Sequence, residues 1–231
     1  MALPRIVLFT EGHGDVTASY TLVQRLLAEL NPWSILSLDD DVFRVSGLHQ
    51  LSGGQHEQWT KKLQAAGKRG NVGGVLLILD GDSKEFEGHP FCAALAAATL
   101  AERSRSVGGG ATFSVACVFA RQEYESWLIA GIESLAGKPI GPSGPSINLQ
   151  ISVPDDPEIA PRDAKGWLTQ NMSGVYKPTQ HQKYLTELVD LDAIKNNTKM
   201  RSFRRLRSAL NQLVDAIRSG QHMTSPSRPS P

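Results

Sequence analysis

Gly74-Val-Leu-Leu-Ile-Leu-Asp80-Gly-Asp82-Ser83 is the stretch whose reading decides the fold. An unbroken apolar run of this length reads as a strand buried on both faces, the habit of parallel sheets. It stops abruptly at Asp-Gly-Asp. Side chains two apart on extended backbone project to the same side. A strand that persists through Gly81 therefore carries Asp80 and Asp82 together at its carboxyl end. Two carboxylates held that close repel, so either one keeps its proton or a cation lies between them. Oxygen-only ligands at a strand tip suit a hard divalent ion, Mg2+ first and Mn2+ next.

Upstream, Arg5-Ile-Val-Leu-Phe-Thr10 repeats the pattern and ends in Glu11-Gly-His-Gly-Asp15. Val16, Tyr20, Val23, Leu26, Leu27 and Leu30 then recur at helical spacing. The reading is strand, tight glycine turn, helix, with Glu11 at the strand tip and Asp15 near the helix start. Downstream, Thr112-Phe-Ser-Val-Ala-Cys-Val-Phe-Ala120 runs into Arg121-Gln-Glu123-Tyr-Glu125, after which Trp127, Leu128 and Ala130 begin a helix. In an open α/β sheet, ligands sit outside the carboxyl ends of the strands. Glu11 meets the Asp80/Asp82 pair there if the first two strands are neighbours. Each acid also has a plainer reading, as the cap of the helix that follows it. Three acids at the tips of two strands favour the metal reading for Glu11, Asp80 and Asp82. Asp15 reads either as a further ligand or as an N-cap. Of the last pair, Glu123 lies nearer the strand tip and is the expected catalytic member; Glu125 reads as a helper to a second ion or as half of a surface pair.

Strands alternating with helices predict an α/β fold with a mostly parallel sheet covered on both faces. The predicted strands are Ile6–Thr10, one within Ser34–Val45, Val75–Leu79 and Phe113–Ala120. The predicted helices of this half are Val16–Leu30, Gln55–Ala66 and Pro90–Arg103, with Pro90 in a first turn where no N–H is needed. Residues 1–135 form this core. Residues 136–161 are rich in Gly, Pro and Ser and read as an irregular loop. A C-terminal helical segment follows over 162–219, and its last helix carries an apolar stripe of Phe203, Leu206, Leu210, Leu213, Val214 and Ile217. Residues 220–231 are Ser/Pro-rich and expected to be disordered.

The chain has 231 residues and a formal net charge of +1, so any attraction to nucleic acid must be local. The local positive cluster is Lys195, Lys199, Arg201, Arg204, Arg205 and Arg207. Arg201, Arg204 and Arg205 share a helix face by spacing, and with Lys199 they are candidate phosphate contacts; the alternative is a solvated helix face. His181 follows a Pro-containing turn and reads as a structural hydrogen-bonder ahead of a catalytic group. Gly12 and Gly14 invite a phosphate-loop reading, but the Gly-Lys-Ser/Thr of a nucleotide P-loop is missing. The two cysteines, Cys92 and Cys117, read as small buried hydrophobes. No leader-like opening and no apolar run of membrane length is present, which predicts no membrane association and a reducing cytoplasm.

Strand-Glu-Gly followed by strand-Asp-x-Asp resembles the Toprim fold of topoisomerases, primases and the nucleases associated with overcoming-lysogenization-defect ATPases. The block Glu123-x-Glu125-x-Trp127-Leu-Ile-Ala130 narrows the resemblance. So do Tyr176-Lys-Pro-Thr-Gln-His181-Gln182, Leu185-Thr186, Asp190-Leu191, Ser202-Phe203, Leu206 and Leu210. Together they resemble a family of small Toprim-like bacterial proteins of unknown function, from Ile6 to Leu213. The resemblance implies a Toprim-like sheet, a magnesium-dependent nuclease, an ATPase partner protein and a role in bacterial defence. Two other functions remain open at this point: a non-catalytic Toprim-fold binding subunit, and a hydrolase of small phosphate esters.

Overall fold

A computed structural model describes residues 2–52 and 56–227. Six strands form one all-parallel sheet: β1 (Arg5–Thr10), β2 (Ser37–Leu38), β3 (Phe43–Arg44), β4 (Val72–Asp80), β7 (Ser114–Ala120) and β8 (Thr224–Ser225). A separate small hairpin, β5 (Glu85–Phe86) and β6 (His89–Pro90), lies between β4 and the next helix. The sheet order is β2-β1-β4-β7-β8, with β3 also pairing β1. The strand carrying Glu11 is therefore the direct neighbour of the strand carrying Asp80. Thr10 pairs with Ile78, and Asp80 with Ala120, so the three central strands end nearly level.

The period-2 alternation of the central strands divides the core into two layers. Ile6, Leu8, Leu76, Ile78, Ala116 and Val118 face one side. That layer is covered by α1 (His13–Leu30), α4 (Glu125–Ala130) and α8 (Arg201–Ser219), with α5 (Ala164–Gln170), α6 (Lys183–Leu188) and α7 (Leu191–Asn196) completing it. Val7, Phe9, Val75, Leu77, Cys117 and Phe119 face α2 (His56–Gly67) and α3 (Ala93–Arg103) on the other. Fully burying side chains of this size stabilises by about 1.5–3 kcal/mol each, which is why the strands read as unbroken apolar runs. Trp59 and Trp127 are fully buried, and Trp167 packs against the first layer.

The structure departs from the sequence reading in four places. The single strand expected within Ser34–Val45 is two short ones, because Asp39 turns away between them to accept from Arg5 and Arg69. Pro90 belongs to the hairpin and not to a helix; α3 begins at Ala93. Cys92 therefore precedes the helix and is exposed, whereas Cys117 is buried as expected. Lastly, Thr224–Ser225 add a strand beside β7 within the stretch expected to be disordered. Ser225 accepts from Arg205 and donates to Gln212, which ties the end of the chain to α8. The last four residues of that stretch, 228–231, lie outside the described residues. Among those described, no helix is long and apolar enough to cross a membrane.

Candidate active site at the strand tips

Three adjacent parallel strands deliver acids to one edge. Asp80 ends β4, and its Oδ1 accepts the backbone N–H of Tyr124 at 2.8 Å. Burial drives the Asp80 carboxyl well above the usual carboxylate range, and Asp15, Glu125 and Glu11 push the same way while Lys165 opposes them. Glu11 leaves β1 next door. It is raised by burial, with Asp82 and Asp15 adding, against a hydrogen bond from the Asp80 backbone and the charge of Lys165. Glu11 and Asp82 line one cavity of about 360 Å³ together with His49, Ser83 and Lys84.

Glycines set the approach. Gly12 caps α1 with φ +31, and a Cβ there would meet Asp15 Oδ2 at 2.7 Å. The cap itself makes no side-chain hydrogen bond, so Asp15 is not the N-cap; it lies in the first turn and accepts from Gln182 Nε2 at 2.7 Å. Burial raises Asp15, with Gln182 and Lys165 opposing. At the other strand, a Cβ on Gly81 would be 2.5 Å from Ala120 O, so only glycine lets the end of β4 lie against the end of β7.

The acids after β7 take different places. Glu123 Oε1 accepts Lys165 Nζ at 2.6 Å, while its Oε2 is buried with no hydrogen-bond partner among the described residues. Glu125 opens α4 at 1% exposure. It accepts the Tyr176 hydroxyl at 3.0 Å and lies 3.8 Å from Lys165. Burial pushes Glu125 up to about 7, against the pull of Lys165. Burial alone would lower Lys165, but Glu125 and Glu123 raise it overall, so it stays charged. Tyr176 is raised by burial first and by Glu125 second, which keeps its hydroxyl a donor.

Six acids thus share one edge with Lys165 threaded among them. Their chemistry fits a hard divalent cation: oxygen donors only, four carboxyls pushed towards protonation, and a buried Glu123 oxygen without a donor. Their spacing is looser. Among the described residues no three His, Cys, Asp or Glu side chains stand close enough to share one ion. The reason is visible in the hydrogen bonds: Asp80 is turned to Tyr124, Asp15 to Gln182, Glu125 to Tyr176 and Glu123 to Lys165. Gathering them on an ion requires side-chain rotation.

The remaining predicted residues lie outside this group. His181 Nδ1 accepts the Lys177 N–H at 2.9 Å within a tight π-type turn, and its ring packs on Tyr176. Burial, then Lys177, lowers it, so it is a neutral acceptor that steadies the turn bearing Gln182. Arg204 turns to the carbonyl of Thr198 at 2.8 Å, and Lys199 is exposed. Arg201 and Arg205 line a different cleft, with Arg121. Lys165 carried no signal in the sequence as a site residue. Tyr176 and Gln182 did, but only as letters of a resembling stretch.

A mostly parallel sheet flanked by helices, its carboxyl edge gathering acids from three neighbouring strands, defines an α/β protein. The chain belongs to the family described as Domain of unknown function (DUF4276), whose model matches residues 10–211. No curated protein and no solved structure matches it.

Proposed function

We propose that this protein is a metal-dependent phosphodiester hydrolase, a nuclease of Toprim type, working at the tips of β1, β4 and β7. The observation that carries the reading is the convergence of Glu11, Asp80 and Asp82 on one edge, where burial first and neighbouring acids second push the Glu11 and Asp80 carboxyls towards protonation. The order strand-Glu, strand-Asp-x-Asp, Glu-x-Glu supports it through its resemblance to Toprim nucleases. Glu11, Asp80 and Asp82 would hold Mg2+ or Mn2+, with Asp15, Glu123 and Glu125 in reserve for a second ion. Bound there, such an ion would polarise the phosphate, acidify a water and stabilise the leaving oxygen. The chain's own groups do the positioning. Lys165 fixes Glu123 and Glu125, Tyr124 fixes Asp80 through its backbone N–H, and Gln182 fixes Asp15. Glu125, raised to about 7, can hold or release a proton near neutrality. The same resemblance supports a cytoplasmic role in bacterial defence beside an ATPase partner.

A second reading, a Toprim-fold binding subunit without catalysis, is favoured by the spread of the carboxylates, no three of which stand within reach of one ion. Calorimetric titration with Mg2+ and Mn2+ separates the two when combined with cleavage assays on single- and double-stranded DNA and RNA. The nuclease reading expects saturable ion binding that Asp80→Asn abolishes, and ion-dependent cleavage. Absence of both leaves the binding subunit.

A further inference from the structure

A second cleft, of about 790 Å³, is lined by Gly81 and lies inside the ~300–1,000 Å³ range of small-molecule sites. It is close in sequence to the Glu11 cavity: Gly81 lines this cleft and its neighbour Asp82 lines that cavity. The cleft is bounded by the edge of β7 beyond the reach of β8, which pairs only Val115 and Ala116. Phe91 and Phe119, edge-to-face at 5.4 Å, contribute an apolar wall.

Three arginines surround that wall. Arg121 and Arg201 are exposed, and neither side chain has an ion-pair or hydrogen-bond partner among the described residues. Arg205 is anchored to Ser225 Oγ at 2.7 Å and has no carboxylate partner among them. The single acid in the lining is Glu158, at 1% exposure. It is held rigidly: Ser202 donates both its N–H and its O–H to Oε1, each at 2.6 Å, and Trp127 Nε1 donates to Ser202 Oγ at 2.7 Å. Its Oε2 is buried and has no donor. A buried carboxylate oxygen without a donor is costly. The cleft therefore presents three demands at once: an anion for the guanidinium groups, an N–H or O–H for Glu158 Oε2, and a flat apolar face for the phenylalanines.

We propose that this cleft is a nucleotide subsite, in which the arginines take a phosphate, Glu158 Oε2 takes an N–H of the base, and the base packs on Phe91. Inorganic phosphate meets only the first demand and an apolar ligand only the last. Arginine suits the phosphate because its donors form a planar fork. That the nucleotide belongs to the strand presented at Asp80 rests on the nuclease reading; the nucleotide site itself rests on the cleft alone.

The test is equilibrium binding in EDTA, so that no cleavage intervenes. The probes are a labelled single-stranded oligonucleotide, a nucleoside monophosphate and inorganic phosphate. Arg121→Gln with Arg201→Gln should lower the log–log salt slope for the oligonucleotide by about one, for the one phosphate they hold. Cys92 is exposed, lines the cleft and gives an independent readout. Oligonucleotide should protect it from alkylation. Protection by the monophosphate as well supports the cleft as a nucleotide site, with the free nucleotide as its source. Protection by inorganic phosphate alone, or a double variant that binds oligonucleotide with an unchanged slope and unprotected Cys92, overturns the proposal. Cleavage by the wild type that these variants leave intact would sink the subsite and spare the nuclease reading. Binding at the cleft without cleavage of any substrate in Mg2+ or Mn2+ would do the reverse.

Discussion

The acids of the site and the groups that restrain them come from different parts of the chain. Glu11, Asp80 and Glu123 leave the ends of three adjacent strands, where the sheet's register alone brings them together. Asp80 is held locally by the Tyr124 N–H, but the side-chain donors to Glu123, Glu125 and Asp15 arrive from the segment between Asp163 and Thr186. Lys165 reaches Glu123 across 42 residues of chain, and Gln182 reaches Asp15 across 167. The first region contributes negative charge and the second contributes one ammonium, one phenol and one amide. The contribution is unequal, so the carboxyls remain raised even with every donor in place. The strand tips therefore oppose stability in order to hold charge, and the later segment makes that tolerable. Substitutions on the two sides should have opposite signs.

The largest effect belongs to the tips. Asp80→Asn keeps an oxygen to accept the Tyr124 N–H but removes a charge. Turnover should fall by about 10²–10³-fold, the usual effect of removing one group that stabilises developing charge. Melting in EDTA should be unchanged or raised, because a repelling carboxylate is gone. A clear loss of stability in EDTA would make Asp80 a structural acceptor and end the comparison.

The pH dependence of the ion-free protein probes the same repulsion. Glu125 is raised from 4.5 to about 7 on folding. Between those values the folded state binds the extra proton, so stability is full below about 4.5 and declines as pH rises through 7. The loss from this group is about 3 kcal/mol. Denaturant titrations at a series of pH values in EDTA should show it, and Glu125→Gln, which keeps an acceptor for Tyr176, should flatten it. Stability that instead rises over this window would mean the acids are paired more fully than their raised carboxyls indicate. Adding Mg2+ sharpens the contrast. At a hundredfold excess over Kd the gain is about 2.7 kcal/mol, read as a rise in melting temperature, and Asp80→Asn should remove it.

How much of this was legible in the sequence follows the same division. Apolar runs that stop at acids announce strand tips, because burial on both faces leaves no polar alternation to blur the ends. The run ending at Asp80 and those ending at Glu11 and Glu123 were readable for that reason, and so was the parallel sheet. Whether β1 neighbours β4 was not, since pairing depends on contacts far apart in sequence. Lys165 lies in a helix of seven residues, too short for periodicity to mark which face is functional. Helical spacing grouped Arg204 with Arg201 and Arg205, but local carbonyls at the start of α8 capture Arg204, and Arg121 from another element takes its place at the cleft. Pro90 pointed to a helix start three residues before α3 and hid the exposure of Cys92, because a two-residue strand has no pattern to outweigh a proline.

The smallest effect is the most discriminating. Lys165 is the cation that opposes the raised carboxyls of Glu11, Asp15, Asp80 and Glu125 alike. Lys165→Gln leaves those acids facing one another and strips Glu123 Oε1 of its donor. The lysine side chain is 40% exposed, so solvent screens part of the loss. The expected cost in EDTA is about 1–2 kcal/mol, below that of breaking a fully buried pair. The sign is opposite to that of Asp80→Asn at the neighbouring tip. The same variant should bind Mg2+ more tightly than the wild type, because the ion then replaces the missing ammonium and no longer competes with it. Calorimetry and melting on one preparation give both numbers. If Lys165→Gln leaves both the ion-free stability and the ion affinity at wild-type values, the later segment does not restrain the tips, and the acids are held by solvent and backbone alone.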